Sequence, residues 1–372
     1  MASTLSFNAD ALAESLVREE IKAMHSYHVP DSSGFLKLDA MENPNPWPGT
    51  LEQEWLEKMK RVDVNRYPDP SCKELKAGIR ALLNLDALEA SSDAEFEILL
   101  GNGSDEIIQI LAMALSSQDR GILGVEPSFV MYRMIANFVG VKYHSVDLQD
   151  DFSLNLPETL AAIQEHNPAL VFLAVPNNPT GNVFAESDIE KIVEASQGLV
   201  VLDEAYMAFT DSDLLAFLAR YPNVVVMRTF SKVGLAGLRL GFLIGAQAWV
   251  SQFEKLRLPY NINVLTQASA ALAIEHYGML TAQCDGLKEA RSELFKQLSA
   301  IDDIEVFDSE ANFVLVRCLK SQAREVFEAM KVEGVLIKCL DGAHPLLENC
   351  LRLTVGSPQQ NREMVDALQR VL

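Results

Sequence analysis

Long apolar runs are missing from this sequence. None reaches 18 residues, so no segment reads as a membrane-spanning helix. The opening stretch MASTLSFNADALAESLVREEIKAM has no continuous apolar core and carries several acids, so it is not expected to act as a secretory signal. Cysteine is scarce: Cys72, Cys284, Cys318, Cys339 and Cys350. Their odd number and scattered spacing fit neither a disulfide framework nor a zinc site, and no metal is expected. They read as small core residues in a reducing compartment, which points to the cytoplasm. Basic residues are outnumbered, 31 against 52 acidic ones, for a formal charge of −21. That balance excludes a general basic surface for nucleic acid or anionic membrane. It leaves room for a small anion held by a few well-placed arginines. Internal repeats, low-complexity tracts and long linkers are also lacking.

What the chain does have is a core's worth of apolar residues, 49% of 372, with 22% charged. That is ordinary for a large globular α/β protein. Short runs rich in Val, Leu and Ile (FEILLGNG, RGILGVE, VKYHSVDL, ALVFLAV, LVVLDEAY, NVVVMRTFSK, RLGFLIG) alternate with helical stretches such as SDEIIQILAMALS and ESDIEKIVEASQG. Apolar runs without polar alternation are strands covered on both faces, so the middle of the chain predicts a mostly parallel sheet layered with helices. The alternation fades after residue 264 into a smaller α+β region. The expected division is an arm and part of the small domain over 1–45, a large domain over 46–264 and a small domain over 265–372.

Ligands of open α/β sheets collect beyond the carboxyl ends of the strands. The polar stretches GNGSDE, EPSF, PNNPTG, DEAY and TFSK all follow directly after predicted strands. Each has an ordinary reading alone. Lys232 suits a surface turn, Asp203 and Glu204 a helix cap, and NNPTG a tight turn. GNGSDE is also a helix start of the kind that binds phosphate. Five such loops converging on one sheet edge predict a site.

In order and spacing, the set GNGSDE, PSF, NNPTG, DEAY and SKVGLAGLR resembles the fold-type-I aminotransferases that use pyridoxal phosphate. LDAMENPNPWP, VNRYPDP and CLRLTVG resemble segments of the histidinol-phosphate aminotransferases, so the likeness runs from about residue 20 to the end. The resemblance implies pyridoxal 5'-phosphate as cofactor, with Lys232 forming its Schiff base and moving the substrate proton. It implies Asp203 as counter-ion of the pyridine nitrogen, Asn178 and Tyr206 as donors to the ring oxygen, and Phe129 covering the ring face. Gly103, Ser104, Asp105, Ser231 and Arg239 would hold the phosphate, joined by Tyr67 from a neighbouring subunit, which makes the enzyme a homodimer with shared sites.

The same resemblance gives Arg352 and Tyr27 to the substrate's anionic end. Where members of the family place a second arginine, this chain has Lys338, which keeps the charge but not the two-pronged fork. The implied reaction converts histidinol phosphate and 2-oxoglutarate to imidazole-acetol phosphate and glutamate in histidine biosynthesis, by a ping-pong cycle. The alternatives are an aromatic amino acid aminotransferase or a threonine-phosphate decarboxylase of the same fold. A pyridoxal-phosphate-binding regulator is a third, though the chain has no basic DNA-binding helix.

Overall fold

The computed structural model describes residues 8–24, 26 and 29–372. Tyr27 lies outside the described residues. In chain order the strands are β1 (Leu36–Lys37), β2 (Phe96–Asn102), β3 (Ile122–Glu126), β4 (Tyr143–Asp147), β5 (Leu170–Ala174), β6 (Leu199–Asp203), β7 (Val224–Thr229) and β8 (Leu240–Ala246). They are followed by β9 (Ile304–Val306), β10 (Phe313–Cys318), β11 (Val335–Leu336), β12 (Lys338–Cys339) and β13 (Cys350–Thr354).

The apolar runs in the middle of the chain form one seven-stranded sheet in the order β2-β8-β7-β6-β5-β3-β4. Every residue of β5 and β6 is buried, as strands covered on both faces must be. One face packs on the helices Gly103–Leu115 and Met131–Val139 through Leu99, Ile107, Tyr132 and Phe172. The other face carries Ile98, Val171, Val200 and Val226 into the main core. The pairings β3–β4, β3–β5, β5–β6 and β6–β7 are parallel, whereas β8 runs antiparallel to both β7 and β2. Two reversals leave β2 pointing the same way as β7. The carboxyl ends of β2, β3, β5, β6 and β7 therefore share an edge, and β8 starts there.

The smaller sheet is antiparallel, in the order β12-β13-β10-β9. The helices Tyr277–Ser299, Ala323–Val332 and Pro358–Val371 pack beside it, the last starting at a capping box of Ser357 and Gln360. β1, near the start of the chain, pairs parallel with β11, and Leu38 accepts a hydrogen bond from the Thr354 amide at 3.2 Å. Residues 38–43 then run from the small sheet across to the carboxyl edge of the large one.

Candidate active site

The shared strand edge explains why Lys232 and Arg239 meet. Lys232 leaves the end of β7 and Arg239 leads into β8, so one antiparallel hairpin carries both. Arg239 itself adopts a left-handed φ of 49°, an arrangement that costs a non-glycine residue energy and is found where geometry is held for function.

A cavity of about 140 Å³ opens at this edge. Among its walls are Ser104, Asp105, Phe129, Asn178, Asp203, Tyr206, Ser231, Lys232 and Arg239. Nine of the residues singled out in the sequence are thus brought together. Gly103 lies directly beneath Arg239: a Cβ added there would stand 2.7 Å from its Nη2. Gly241 is as tightly placed, since a Cβ on it would come within 2.7 Å of the Gly103 carbonyl carbon. Backbone and guanidinium can approach here only because both positions lack side chains.

Lys232 is buried, its Nζ donating to the Ala40 carbonyl at 3.3 Å and lying 5.6 Å from the centre of the Tyr206 ring. Burial, then the Arg352 guanidinium and more weakly Arg239, lowers its pKa from 10.5 to about 8. Part of its population is therefore neutral near physiological pH, as a nucleophile and proton carrier requires. Asp203, at the end of β6, is buried and pushed up to about 6, chiefly by desolvation. Its Oδ2 accepts from the Tyr132 hydroxyl at 2.6 Å and its Oδ1 from the Ala205 amide at 3.0 Å. Burial raises the Tyr206 phenol as well, so that hydroxyl stays protonated and able to donate.

At the opposite wall, the helix Gly103–Leu115 starts at the cavity, and the first amides of a helix have no partner within it. Arg239 Nη2 lies 3.3 Å from Asp105 Oδ2. The Ser231 hydroxyl is 3.0 Å from that of Thr229. Backbone amides, a hydroxyl and a guanidinium are the donors that a phosphate ester takes.

Arg352 is set back from the cavity, on β13. Its Nη1 donates to Asn178 Oδ1 at 2.6 Å and its Nη2 to the Asp39 carbonyl at 2.9 Å. Lys338 is its direct cross-strand partner on β12, so the two cations share one face of the small sheet. Burial and Arg352 together lower the Lys338 pKa. Tyr67 is not brought to this cavity. It is 81% exposed and stacks on Tyr260, the ring centres 4.4 Å apart.

Met41, Thr229 and Tyr132 are parts of the site that sequence reasoning passed over. Met41 lines the cavity with a left-handed φ of 52°, held by Asn312 Nδ2 on its carbonyl and Thr354 Oγ1 on its amide. Only its place in LDAMENP, inside a segment already singled out, could have marked it. Thr229 opens the marked TFSK stretch but was given no role there.

A buried lysine and a buried carboxylate lining one cavity, with an anion cradle between helix start and arginine, make the frame of a pyridoxal-phosphate transferase, and the residues present fit that cofactor. The chain belongs to the class I and II aminotransferases, whose family model matches residues 34–368. It is 47% identical to histidinol-phosphate aminotransferase 2 of Nitrosococcus oceani, covering 95% of this chain and 96% of that protein. With the histidinol-phosphate aminotransferase of Chromobacterium violaceum the identity is 46%, over 96% and 98% of the two chains. Among solved structures, the histidinol-phosphate aminotransferase of Sinorhizobium meliloti in complex with pyridoxal-5'-phosphate shares the fold at a TM-score of 0.84 and 23% identity, covering 96% and 97%. The L-threonine-O-3-phosphate decarboxylase of Porphyromonas gingivalis shares it at 0.75 and 22%, covering 90% and 98%. This protein is accordingly a pyridoxal-phosphate-dependent aminotransferase.

Proposed function

We propose that the enzyme transfers the amino group of histidinol phosphate to 2-oxoglutarate, yielding imidazole-acetol phosphate and glutamate by a ping-pong cycle. The observation that carries this reading is the pair Arg352 and Lys338, side by side on β13 and β12, with Arg352 bonded to Asn178 of the cavity wall. Two cations on one face suit a phosphate ester, which carries more charge than a carboxylate. The two relatives at 47% and 46% identity are both named histidinol-phosphate aminotransferases.

In this reading the bound cofactor supplies the electron sink. Lys232 would hold it covalently and, with its amine free, would move the proton at the substrate Cα. Asp203 keeps a negative charge opposite the ring nitrogen. Asn178 and Tyr206 donate to the ring oxygen, and Phe129 covers one ring face. The amides of Gly103, Ser104 and Asp105, with Ser231 and Arg239, hold the phosphate. Arg352, Lys338 and Tyr27 receive the substrate's anionic end.

Tyr67 is assigned to the phosphate of a second subunit, making the working unit a homodimer. Its exposure, along with that of the nearby Tyr260, leaves it available for such a contact. The cytoplasm is the proposed compartment, in keeping with five free cysteines.

A half-reaction panel tests the substrate. Purified enzyme is mixed with histidinol phosphate, phenylalanine or threonine phosphate, and the loss of the lysine-linked cofactor absorbance is timed. Fastest conversion is expected with histidinol phosphate. Equal or faster conversion with phenylalanine, or carbon dioxide released from threonine phosphate, would replace this reading by one of the alternatives.

A further inference from the structure

Tyr132 sits in the middle of the core and at the edge of the site at once. It is fully buried in the helix Met131–Val139, on the face packed against the large sheet. Its ring stacks flat on Phe172 of β5, with centres 4.5 Å apart and planes 15° from parallel. The hydroxyl donates to Asp203 Oδ2 at 2.6 Å. The ring also meets Phe129 edge to face, at 5.6 Å and 88°. Phe129 and Tyr132 are three residues apart, and the Phe129 carbonyl accepts the Tyr132 amide at 3.2 Å. One turn of chain thus carries the aromatic wall of the cavity and the residue behind it.

We propose that Tyr132 is a positioning residue for the transamination: through its hydroxyl it holds Asp203 as an acceptor, and through its ring it sets the plane of Phe129. The proposal rests on the assignment of Asp203 to the cofactor's ring nitrogen and of Phe129 to its face. Burial pushes the Asp203 carboxyl up to about 6, toward the neutral form. A neutral carboxylic acid would be a donor, and could no longer hold a protonated ring nitrogen opposite it. Two donors oppose that drift, the Ala205 amide on Oδ1 and the Tyr132 hydroxyl on Oδ2. The amide is part of the backbone and is always present. The phenol is the side-chain contribution, and burial together with the Asp203 charge raises its own pKa far enough that it remains a donor. Each carboxylate oxygen therefore accepts one fixed bond, which orients the group and leaves its other lone pairs for the cofactor.

The test uses the holoenzyme loaded with pyridoxal phosphate labelled with ¹⁵N in the ring, in two forms. Tyr132→Phe removes only the hydroxyl and keeps the ring on Phe172 and Phe129. Incorporation of 3-fluorotyrosine at position 132 keeps the hydroxyl and makes it a stronger donor. In Tyr132→Phe the ring nitrogen signal should move toward the neutral-pyridine position, with the lysine-linked absorbance retained. Its kcat should fall about ten- to a hundredfold, the range for losing one hydrogen bond to a charged group, while KM for the amino donor holds. The fluorinated enzyme should move the signal the opposite way, and it decides the matter if Tyr132→Phe fails to fold. A nitrogen signal that stays put in the folded variants, or moves the same way in both, overturns the proposal even if kcat falls. Asp203→Asn separates the two levels. If it too leaves the signal in place, the Asp203 assignment is what fails; if it moves the signal while the Tyr132 variants do not, only the role of Tyr132 fails.

Discussion

Arg352 and Asn178, 174 positions apart in the chain, are joined by a 2.6 Å hydrogen bond from the guanidinium Nη1 to the amide Oδ1. The bond ties the small sheet to the carboxyl edge of the large one and turns the Asn178 amide so that its nitrogen is free to face the cavity. Arg352 also lowers the pKa of Lys232. One side chain thereby touches both the substrate end and the chemistry. Arg352→Ala is expected to raise KM for the phosphorylated substrate about ten- to a hundredfold, as for a lost charge-assisted pair. The Lys232 pKa should rise from about 8 in the same variant. Steady-state kinetics and a pH titration of the cofactor-free protein measure the two, and an unchanged KM counts against the assignment.

Two buried groups make the stability of the cofactor-free protein depend on pH in opposite senses. Lys232 has its folded pKa depressed to about 8 from 10.5, so between those values the unfolded chain binds the extra proton and stability rises with pH. The span corresponds to about 3 kcal/mol. Asp203 has its folded pKa raised to about 6 from 3.8, so the folded state holds the extra proton and stability falls as pH climbs through that window. Urea unfolding from pH 4 to 10 should show both slopes. The upper one should flatten in Lys232→Met and the lower in Asp203→Asn.

Gly103 should not tolerate a side chain. Its φ of +77° costs an L-residue about 1–2 kcal/mol, and a Cβ would displace Arg239. Gly103→Ala is expected to weaken cofactor binding about tenfold or more through loss of a charge-assisted phosphate contact. Fluorescence titration with pyridoxal phosphate reads this directly, and wild-type affinity in the variant would remove Arg239 from the phosphate site.

Behind Asp203, the neighbouring Glu204 forms a buried ion pair with Arg228 at 2.7 Å, and Arg228 also reaches the more exposed Asp213 at 2.8 Å. Glu204→Gln strands a buried cation and should cost about 3 kcal/mol. Asp213→Asn removes a half-exposed partner and should cost at most about 1 kcal/mol. Chemical denaturation of the two variants should rank them in that order.

If sites are shared between subunits, mixing inactive Lys232→Ala protein with Tyr67→Phe protein should yield hybrid dimers in which one site keeps both residues. Activity above that of either parent, after unfolding and refolding together, is the expected outcome. Strictly additive activity at every mixing ratio would place Tyr67 outside the site.

Much of this was readable from residue order because strands buried on both faces betray themselves by unbroken Val, Leu and Ile. Loops with Gly, Asn and charged residues just after such runs stand out equally well. What could not be read was direction. RLGFLIG has the same apolar pattern as its parallel neighbours, yet β8 runs against them, and nothing in periodicity distinguishes the two. Contacts between distant segments were also hidden. Tyr132 reads as one more apolar residue of a helix face until Asp203 is seen beside it. The placement of Asn178 against Arg352 likewise exists only once both sheets have come together.

The hairpin of β7 and β8 has an implication for how such an enzyme can diverge. Three of the parts assigned to gripping the cofactor, Ser231, Lys232 and Arg239, are encoded within nine consecutive positions and closed by a single pair of zipped strands. Two of those assigned to choosing the substrate, Lys338 and Arg352, come from β12 and β13, 99 and 113 positions beyond Arg239. Mutation at Lys338 can therefore alter recognition of the amino donor while that clasp passes on intact, whereas Arg352, bonded to Asn178 and lowering the Lys232 pKa, ties the two together.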